Sequence, residues 1–370
     1  MNRFVISALA VCAASSLTFA SESEEWLTLD KELENLSTSP LQGGSGLAVS
    51  GFLRSAYWNS SEPFDGSSIN PGGDDVGGFT LDNARINLDG SVGNFDVHVA
   101  FEGNESGSGT GFTGTGFGFF RVPLDDYGVV VLDAYADWNF TDAWYLEVGR
   151  FRPPFLQDAL RNENEMMFWQ KTVVADFWST RDQGVLVGGT FDMFGVWGAI
   201  QNGADGIVDE VAFTVRGEWN ALGGGTQETE GAYGASQDMA LNVGAAYYDD
   251  GTLSDLNAWA VDGAFSMGPF YASASIIGNG DDMPLFTPAT TTFGGTPWDI
   301  DASFLFAGMW EVAGRYQNLD DDDDTSIFDI ALNAYMEGHD AKFLVQYSSS
   351  TSDLNENEAD MIILGMTVSV

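Results

Sequence analysis

Apolar and polar residues alternate along most of this chain. In FDVHVAFE (95–102), every second residue is apolar and most of the intervening residues are polar. The same pattern recurs in IFDIALNAYM (327–336) and in the final DMIILGMTVSV (360–370). A period of two with one apolar face is typical of antiparallel strands that bury one side.

Sixteen such segments are predicted to be strands, which is an even number. The predicted strands span residues 47–58, 79–91, 94–102, 127–139, 144–152, 183–193, 194–202, 210–220, 238–250, 255–266, 269–279, 298–307, 308–319, 325–336, 339–350 and 360–370.

Short connections tend to alternate with long ones along the chain. The short ones are predicted at 93–94, 140–143, 194–195 and 337–339, and the long ones at 59–78, 103–126, 153–182 and 280–297. The connection 221–237 is an exception, because parity assigns it to the short set and it is long. Aromatic residues recur near strand ends, as membrane-interface girdles require, at Tyr57, Trp58, Trp138, Phe140, Trp144, Tyr145, Tyr247 and Tyr248.

These features predict an all-β fold. We expect a 16-stranded antiparallel transmembrane β-barrel with short periplasmic turns and long extracellular loops. A soluble β-sandwich or propeller would also show alternating strands. It would not explain the difference in length between the two sets of connections.

The N-terminal region is predicted to lie outside the barrel. Residues 1–20 join a short Arg3-bearing start to an apolar run and end in small residues, which is typical of a secretory signal peptide. Residues 21–46 form an acidic segment that is either a short helical or coiled-coil element or a solvated linker. The barrel is predicted over 47–370, in the cell outer membrane.

Charge and cysteine content narrow the functional classes. The chain has 13 Lys and Arg against 55 Asp and Glu, a net charge of −42, so nucleic acid is not an expected partner and cations should be attracted. The only cysteine, Cys12, lies in the predicted signal peptide. The aspartate run at 318–326 fails as a calcium loop, because Thr325 and Ala331 occupy the positions that need Gly and Glu. We expect no metal, no cofactor and no enzymatic activity.

The segment GRFRPPF (149–155) predicts where one strand stops and a long loop begins. Pro153 and Pro154 remove two consecutive backbone donors and therefore end strand pairing. Arg150 and Arg152 share the parity of the apolar residues of that strand, and an arginine facing lipid near the bilayer midplane would cost roughly 2–4 kcal/mol. A bulge near Gly149 is therefore favoured, with positions above the apolar band or beneath the folded loop as alternatives.

The same segment resembles the phosphate-selective porins. Members of that family end a strand with a Gly-basic-Phe-basic-x-Pro-Phe stretch and begin the next with Arg-x-x-Gly. The matching residues are Gly149, Arg150, Phe151, Arg152, Pro154 and Phe155, then Arg181 and Gly184. The chain departs from the family at Gln170-Lys171, where Glu-Arg is usual, in having few basic residues on the strands, and in ending with Val370 where an aromatic is usual.

The resemblance to porins implies that the third long loop, 153–182, folds inward, where it is expected to set the size limit of the barrel. Opposed acidic and basic groups across a narrow gap filter ions by charge. Candidate constriction and lining residues are Arg85, Asp133, Asp137 and Arg216 on the wall, Arg150, Arg152 and Arg181 at the root of the loop, and Asp158, Arg161, Glu163, Glu165 and Lys171 within it. The alternative is that many of them are ordinary solvated lumen residues.

The resemblance and the charge together predict a passive diffusion channel for small hydrophilic solutes and ions. Overall we expect a weak cation preference, with a basic cluster near the constriction. The alternatives are a phosphate- or anion-selective porin and a plugged barrel with a structural or adhesive role. The resemblance implies a homotrimer that contacts membrane lipid and lipopolysaccharide.

Overall fold

The computed structural model describes most of the chain outside the N-terminal region and parts of the connections. The described residues are 46–60, 76–104, 128–203, 211–223, 229–235, 238–250, 257–279, 283–284, 292–293, 295–321, 324–351 and 358–370. The predicted signal peptide, nearly all of the acidic segment 21–46 and much of three predicted long loops, 59–78, 103–126 and 280–297, lie outside them.

Sixteen long antiparallel strands form a closed barrel, as predicted. They are β1 (Leu47–Ser60), β2 (Val76–Val92), β3 (Phe95–Asn104), β4 (Gly128–Asn139), β5 (Trp144–Phe151), β6 (Asp182–Phe191), β7 (Phe194–Gln201), β8 (Ala212–Leu222), β9 (Ala240–Asp249), β10 (Asn257–Met267), β11 (Phe270–Asn279), β14 (Trp298–Phe306), β15 (Trp310–Asn318), β16 (Ser326–Tyr335), β17 (Ala341–Thr351) and β18 (Glu358–Ser369). Two short strands, β12 (Met283–Pro284) and β13 (Thr292–Phe293), pair with each other outside the barrel.

Each barrel strand pairs with its neighbours in sequence, and β1 closes the ring against β18. The predicted turn at 194–195 is displaced, because Phe194 already pairs with Phe191 and the turn is Asp192-Met193. Asp192 has φ 52°, a left-handed conformation that Asp tolerates better than most residues.

The alternation of the strands separates an apolar outside from a largely polar inside. On β18, Ile362 and Leu364 are exposed on the outer face, while Met361 and Ile363 are buried inside. Large aromatics cover glycines on the neighbouring strand: a Cβ at Gly189 would lie 2.6 Å from the ring of Trp144, its partner in the β5–β6 pair. The outer face thus presents a largely apolar surface, as lipid requires.

The loop between β5 and β6 folds into the barrel, which confirms the prediction for the third long loop. This loop, called L3 here, contains α1 (Gln157–Leu160), a 3₁₀ turn (Glu163–Glu165) and α2 (Val173–Trp178). Its apolar side chains form two buried clusters with the wall, one around Phe155, Leu156 and Trp178 and the other around Met167, Phe168 and Trp169. Within the described part of the chain, no helix has the length and apolar character needed to cross a bilayer.

Candidate pore constriction

L3 starts where the two prolines interrupt the ladder. β5 ends at Phe151, and the amide of Phe155 donates to the carbonyl of Pro153 over 2.8 Å, which forms a local turn. The carbonyl of Phe155 then accepts from Arg216 of β8 at 2.9 Å. The predicted strand terminators therefore stand at the point where the chain leaves the wall.

Side chains of the wall satisfy the backbone of L3 along its length. A loop inside a barrel loses water from its peptide groups, and unpaired buried groups are costly. Gln346 Oε1 accepts from the amide of Trp169 at 2.7 Å, and Asn333 Nδ2 donates to the carbonyl of Met167 at 2.8 Å. The other wall partners of the L3 backbone are Arg54, Asp262, Arg315, Gln317 and Lys342. These bonds hold L3 at a fixed depth.

Glu163 forms the ionic junction between L3 and the wall. Its carboxylate accepts from Arg85 of β2 at 2.7 Å and from Arg152 at 3.1 Å. Arg85 also pairs with Glu102, directly opposite it on β3, at 2.6 Å. Burial alone would favour the neutral acid, but Arg85 and Arg152 lower the pKa of Glu163 well below its usual value. The junction therefore keeps its charge at neutral pH.

A second ion pair lies beside this junction. Arg181, at the end of L3, donates to both carboxylate oxygens of Asp133 on β4, at 3.1 and 3.3 Å. Burial and the nearby Arg181 lower the pKa of Arg152 to about 10, which still leaves its guanidinium charged at neutral pH. The structure thus brings together five of the sequence-predicted residues: Arg85, Asp133, Arg152, Glu163 and Arg181.

The two arginines of GRFRPPF point to different places. Arg152 lies beneath L3, where it also donates to the carbonyls of Leu160 and Arg161 at 2.9 and 3.0 Å. Arg150 keeps the outward parity of Val148 and donates to the carbonyl of Leu132 at 3.1 Å. The bulge expected near Gly149 is a wrong prediction, because the described pairs of β5 with β4 and β6 run without a register shift. Gly149 instead has φ 145°, and a Cβ there would meet the carbonyl of Ala134 at 2.2 Å.

Several predicted lining residues lie inside L3 or behind it. Lys171 donates to the L3 carbonyls of Asp158, Ala159 and Arg161 over 2.7–3.0 Å, and burial together with Arg152 lowers its pKa to about 7. Arg161 donates to the hydroxyl of Tyr271 at 2.6 Å and lies 3.6 Å from Asp158.

Arg216 was expected on the pore wall but is 1% exposed, because L3 covers it. Its partners are Asp262, at 2.7 Å, and Glu218. Glu165 sits in the 3₁₀ turn and is partly exposed.

A row of carboxylates lines the periplasmic half of the same wall. Asp96, Asp137 and Glu147 are register partners on β3, β4 and β5, so three acids stand side by side. Nearby, Asp89 of β2 contacts His98 at 2.6 Å, with side chains 49% and 23% exposed. The alternation of the sequence places Asp96, Asp137 and Glu102 on the polar face of their strands. Glu102 and Glu147 were not predicted as site residues, because the register between neighbouring strands decides which charged side chains lie side by side.

A profile of the family described as phosphate-selective porin O and P matches residues 64–268, more than half of the chain. This chain belongs to that family. The porin is therefore a channel of the outer membrane, in agreement with its closed barrel. No curated protein matches its sequence.

Solved structures support the barrel fold at low sequence identity. OmpT of Vibrio cholerae, in a trimer form, has a TM-score of 0.56 at 10% identity, covering 88% of this porin and 99% of OmpT. The DcaP channel of Acinetobacter baumannii scores 0.55 at 14% identity, with 90% and 99% covered. An anion-selective porin of Comamonas acidovorans scores 0.55 at 12% identity, with 88% and 100% covered. At these identities the likeness concerns the fold alone.

Proposed function

We propose that this porin passes small hydrophilic solutes and ions by passive diffusion through the gap between L3 and the wall formed by β2–β5. The observation that supports this proposal is the charge cluster at L3, where Arg85, Arg152 and Arg181 lie against Glu163 and Asp133. Fixed opposite charges in a narrow polar gap orient water and select solutes by charge and size. We propose no catalytic step and no cofactor.

A weak preference for cations follows from the uneven balance of charge along this path. Each arginine of the constriction has a carboxylate partner, so its field is largely offset close by. Asp96, Asp137 and Glu147 have no arginine or lysine partner among the residues that the structure describes. Like charges side by side repel, so neighbouring acids of this row share protons and the row carries fewer than three charges. The charges that remain favour cations over anions in the periplasmic half.

Reversal potentials in planar bilayers under a KCl gradient test this preference. We expect a modest cation preference that decreases in Asp96→Asn. The matched control is Asp192→Asn, which removes the same charge from an exposed turn and should change the potential less. Strong selectivity for chloride or phosphate would refute the cation preference and favour an anion channel that uses the three constriction arginines.

Liposome swelling with sugars of increasing size tests passage itself. A diffusion channel gives uptake that falls with the size of the sugar. A folded barrel that gives no uptake of any sugar and no ion conductance would instead support a plugged structural or adhesive barrel.

We further propose that the porin assembles as a homotrimer and contacts lipid and lipopolysaccharide through its outer face. The trimeric form of OmpT supports this only at the level of the fold. Analytical ultracentrifugation in detergent tests it, and a monomeric mass under conditions that keep the barrel folded would contradict it.

A further inference from the structure

Residues 229–235 belong to the connection between β8 and β9, on the end of the barrel opposite to that of L3. This segment reaches L3, where the amide of Glu230 donates to the carbonyl of Glu165 at 3.1 Å. The Glu230 carboxylate accepts from the amide of Met167 at 2.8 Å and lies 3.9 Å from Arg161. Glu230 and Ala232 are fully buried. This segment thus lies under L3 as a second inward element.

The remainder of the segment is fixed to the wall on the far side of the lumen. The amide of Ala232 donates to Ser303 Oγ of β14 at 3.2 Å and to Glu311 Oε1 of β15 at 2.5 Å. The ring of Tyr233 stacks on Tyr335 at the end of β16, with centroids 4.1 Å apart and an interplanar angle of 15°. Segment 229–235 therefore extends from L3 to the wall at β14–β16 in the periplasmic half.

Solvent reaches the two sides of the lumen unequally. On the lumen face of β10–β17, polar residues in the periplasmic half are buried, among them Ser266 at 0%, Glu311 at 0% and Asn333 at 0% exposed. On β2–β5 most lumen residues at a comparable depth are partly or fully exposed, as for Asp89, Asp96 and Tyr135. Glu147 is the buried exception in the row of carboxylates described above. Polar residues that are buried along β10–β17 but mostly open to solvent along β2–β5 indicate that the passage lies off the barrel axis, next to β2–β5.

We propose that segment 229–235 is a second constriction element, which closes the lumen along β10–β16 and supports L3 from below, so that solutes pass only along β2–β5. The inference deepens the proposed function, since it assigns the route through the same constriction. Glu230 is a positioning residue in this scheme: it bonds to the backbone of L3 and contacts no passing solute.

Single-cysteine labelling tests the route in the full-length porin, whose only cysteine lies in the predicted signal peptide. Ser303→Cys reports on the wall covered by the segment, and Asp96→Cys reports on the proposed passage. With a positively charged methanethiosulfonate reagent, we expect Asp96→Cys to react and to change the conductance. Ser303→Cys should react slower by on the order of tenfold or more, because reaction requires local opening of the segment.

Two further substitutions, each combined with each cysteine reporter, release segment 229–235 from its neighbours. Glu230→Ala removes the bond to the amide of Met167 in L3, and Tyr233→Ala removes the stacking on Tyr335 of the wall. Either release should accelerate labelling of Ser303→Cys and raise the conductance, while labelling of Asp96→Cys stays unchanged. Heat-modifiable migration on gels shows which variants hold a folded barrel, and the two release variants are independent of each other.

Two results would overturn the inference: labelling of Ser303→Cys as fast as Asp96→Cys in the unreleased porin, or a folded, released porin in which Ser303→Cys stays protected and the conductance is unchanged. Failure of the proposed function looks different. In that case the unreleased porin conducts nothing, while the labelling contrast between the two reporters remains and supports the closure.

Discussion

Glu163 is the central residue of the charge cluster at L3. Its single carboxylate forms ion pairs with two arginines, Arg85 of β2 and Arg152 at the start of L3. Glu163→Gln removes one negative charge from the junction between L3 and the wall and leaves Arg152 without its carboxylate partner. The cation preference should therefore fall. At about 4 Å in a water-like dielectric the effect is about 1 kcal/mol, or roughly fivefold in the cation-to-anion permeability ratio.

Reversal potentials measure this ratio, with Glu337→Gln as the matched control on an exposed turn. An equal shift in both variants would mean that Glu163 acts only through the total charge of the porin and not through its place at the constriction.

The depressed pKa of Glu163 also predicts how the stability of the porin depends on pH. The carboxylate has a lower pKa in the folded porin than its usual 4.5, so its contribution is fully present above about pH 4.5 and is lost only as the pH falls through the depressed value. The thermal midpoint of the porin should exceed that of Glu163→Gln by a constant amount from pH 7 to about 5. The difference should shrink only in more acidic buffer, and its loss near neutral pH would contradict the ionic junction.

Gly365 of β18 leaves space on the inner face of the wall for the ring of Trp169 in L3. A Cβ at this position would lie 2.4 Å from two ring atoms of Trp169, whose Nε1 donates to Asp82 at 2.7 Å. Gly365→Ala should displace the indole and destabilise the porin by about 1–3 kcal/mol. Gly217→Ala is the control, because a Cβ there meets nothing within 4 Å. Equal thermal midpoints for the two variants would show that Trp169 relaxes freely.

At the scale of elements, L3 is held by side chains that belong to the strands rather than by its own short helices. Arg216 of β8 connects three elements, because it bonds Asp262 of β10 through two nitrogens and the L3 carbonyl of Phe155 through one. Asp262 in turn accepts from the amide of Gln157 at 3.0 Å. The loop and two strands are therefore one coupled polar network.

Arg216→Met should cost about 3–5 kcal/mol, because it leaves the buried Asp262 without its cation. The double variant with Asp262→Asn should cost less than the sum of the two single variants. Denaturant unfolding measured for all members of the cycle gives these values. Arg150→Met is the control on the outer face and should change the stability by no more than about 1 kcal/mol, because Arg150 donates to the carbonyl of Leu132 and not to a buried carboxylate. Additive costs in the cycle would argue against the network.

At the scale of the whole molecule, the acidic excess acts through long-range fields that salt screens. The net charge of the sequence is −42, and the acids along the proposed passage are partly open to solvent. The cation preference should decrease between about 0.1 M and 1 M KCl, because the Debye length falls from about 10 Å to about 3 Å. Reversal potentials at a fixed gradient ratio measure this, and a preference unchanged at 1 M would point to charges in direct contact with the permeating ion.

The alternation of apolar and polar residues was sufficient to predict the barrel, because the two faces of each strand lie in different surroundings. The alternation in segments such as 360–370 reflects lipid on one side and lumen on the other, and that contrast is present in every strand. The two prolines at 153–154 likewise mark the start of L3 through a local property, the missing backbone donors. The turn at Asp192-Met193 was misplaced by two residues, since an Asp in a left-handed conformation leaves little trace in the pattern.

What the sequence by itself determined was the number of strands, their inward and outward faces, the location of L3 and the family. These depend on neighbours in the chain. The tertiary structure decided which charges meet: Arg85 with both Glu102 and Glu163, Arg216 beneath L3, and Glu230 under Met167. Those pairs depend on the register between neighbouring strands of the closed barrel. They also depend on how deep L3 and segment 229–235 lie inside it. Both are set by packing between residues far apart in the chain, such as Asn164 and Lys342 at 178 positions, which no local pattern records.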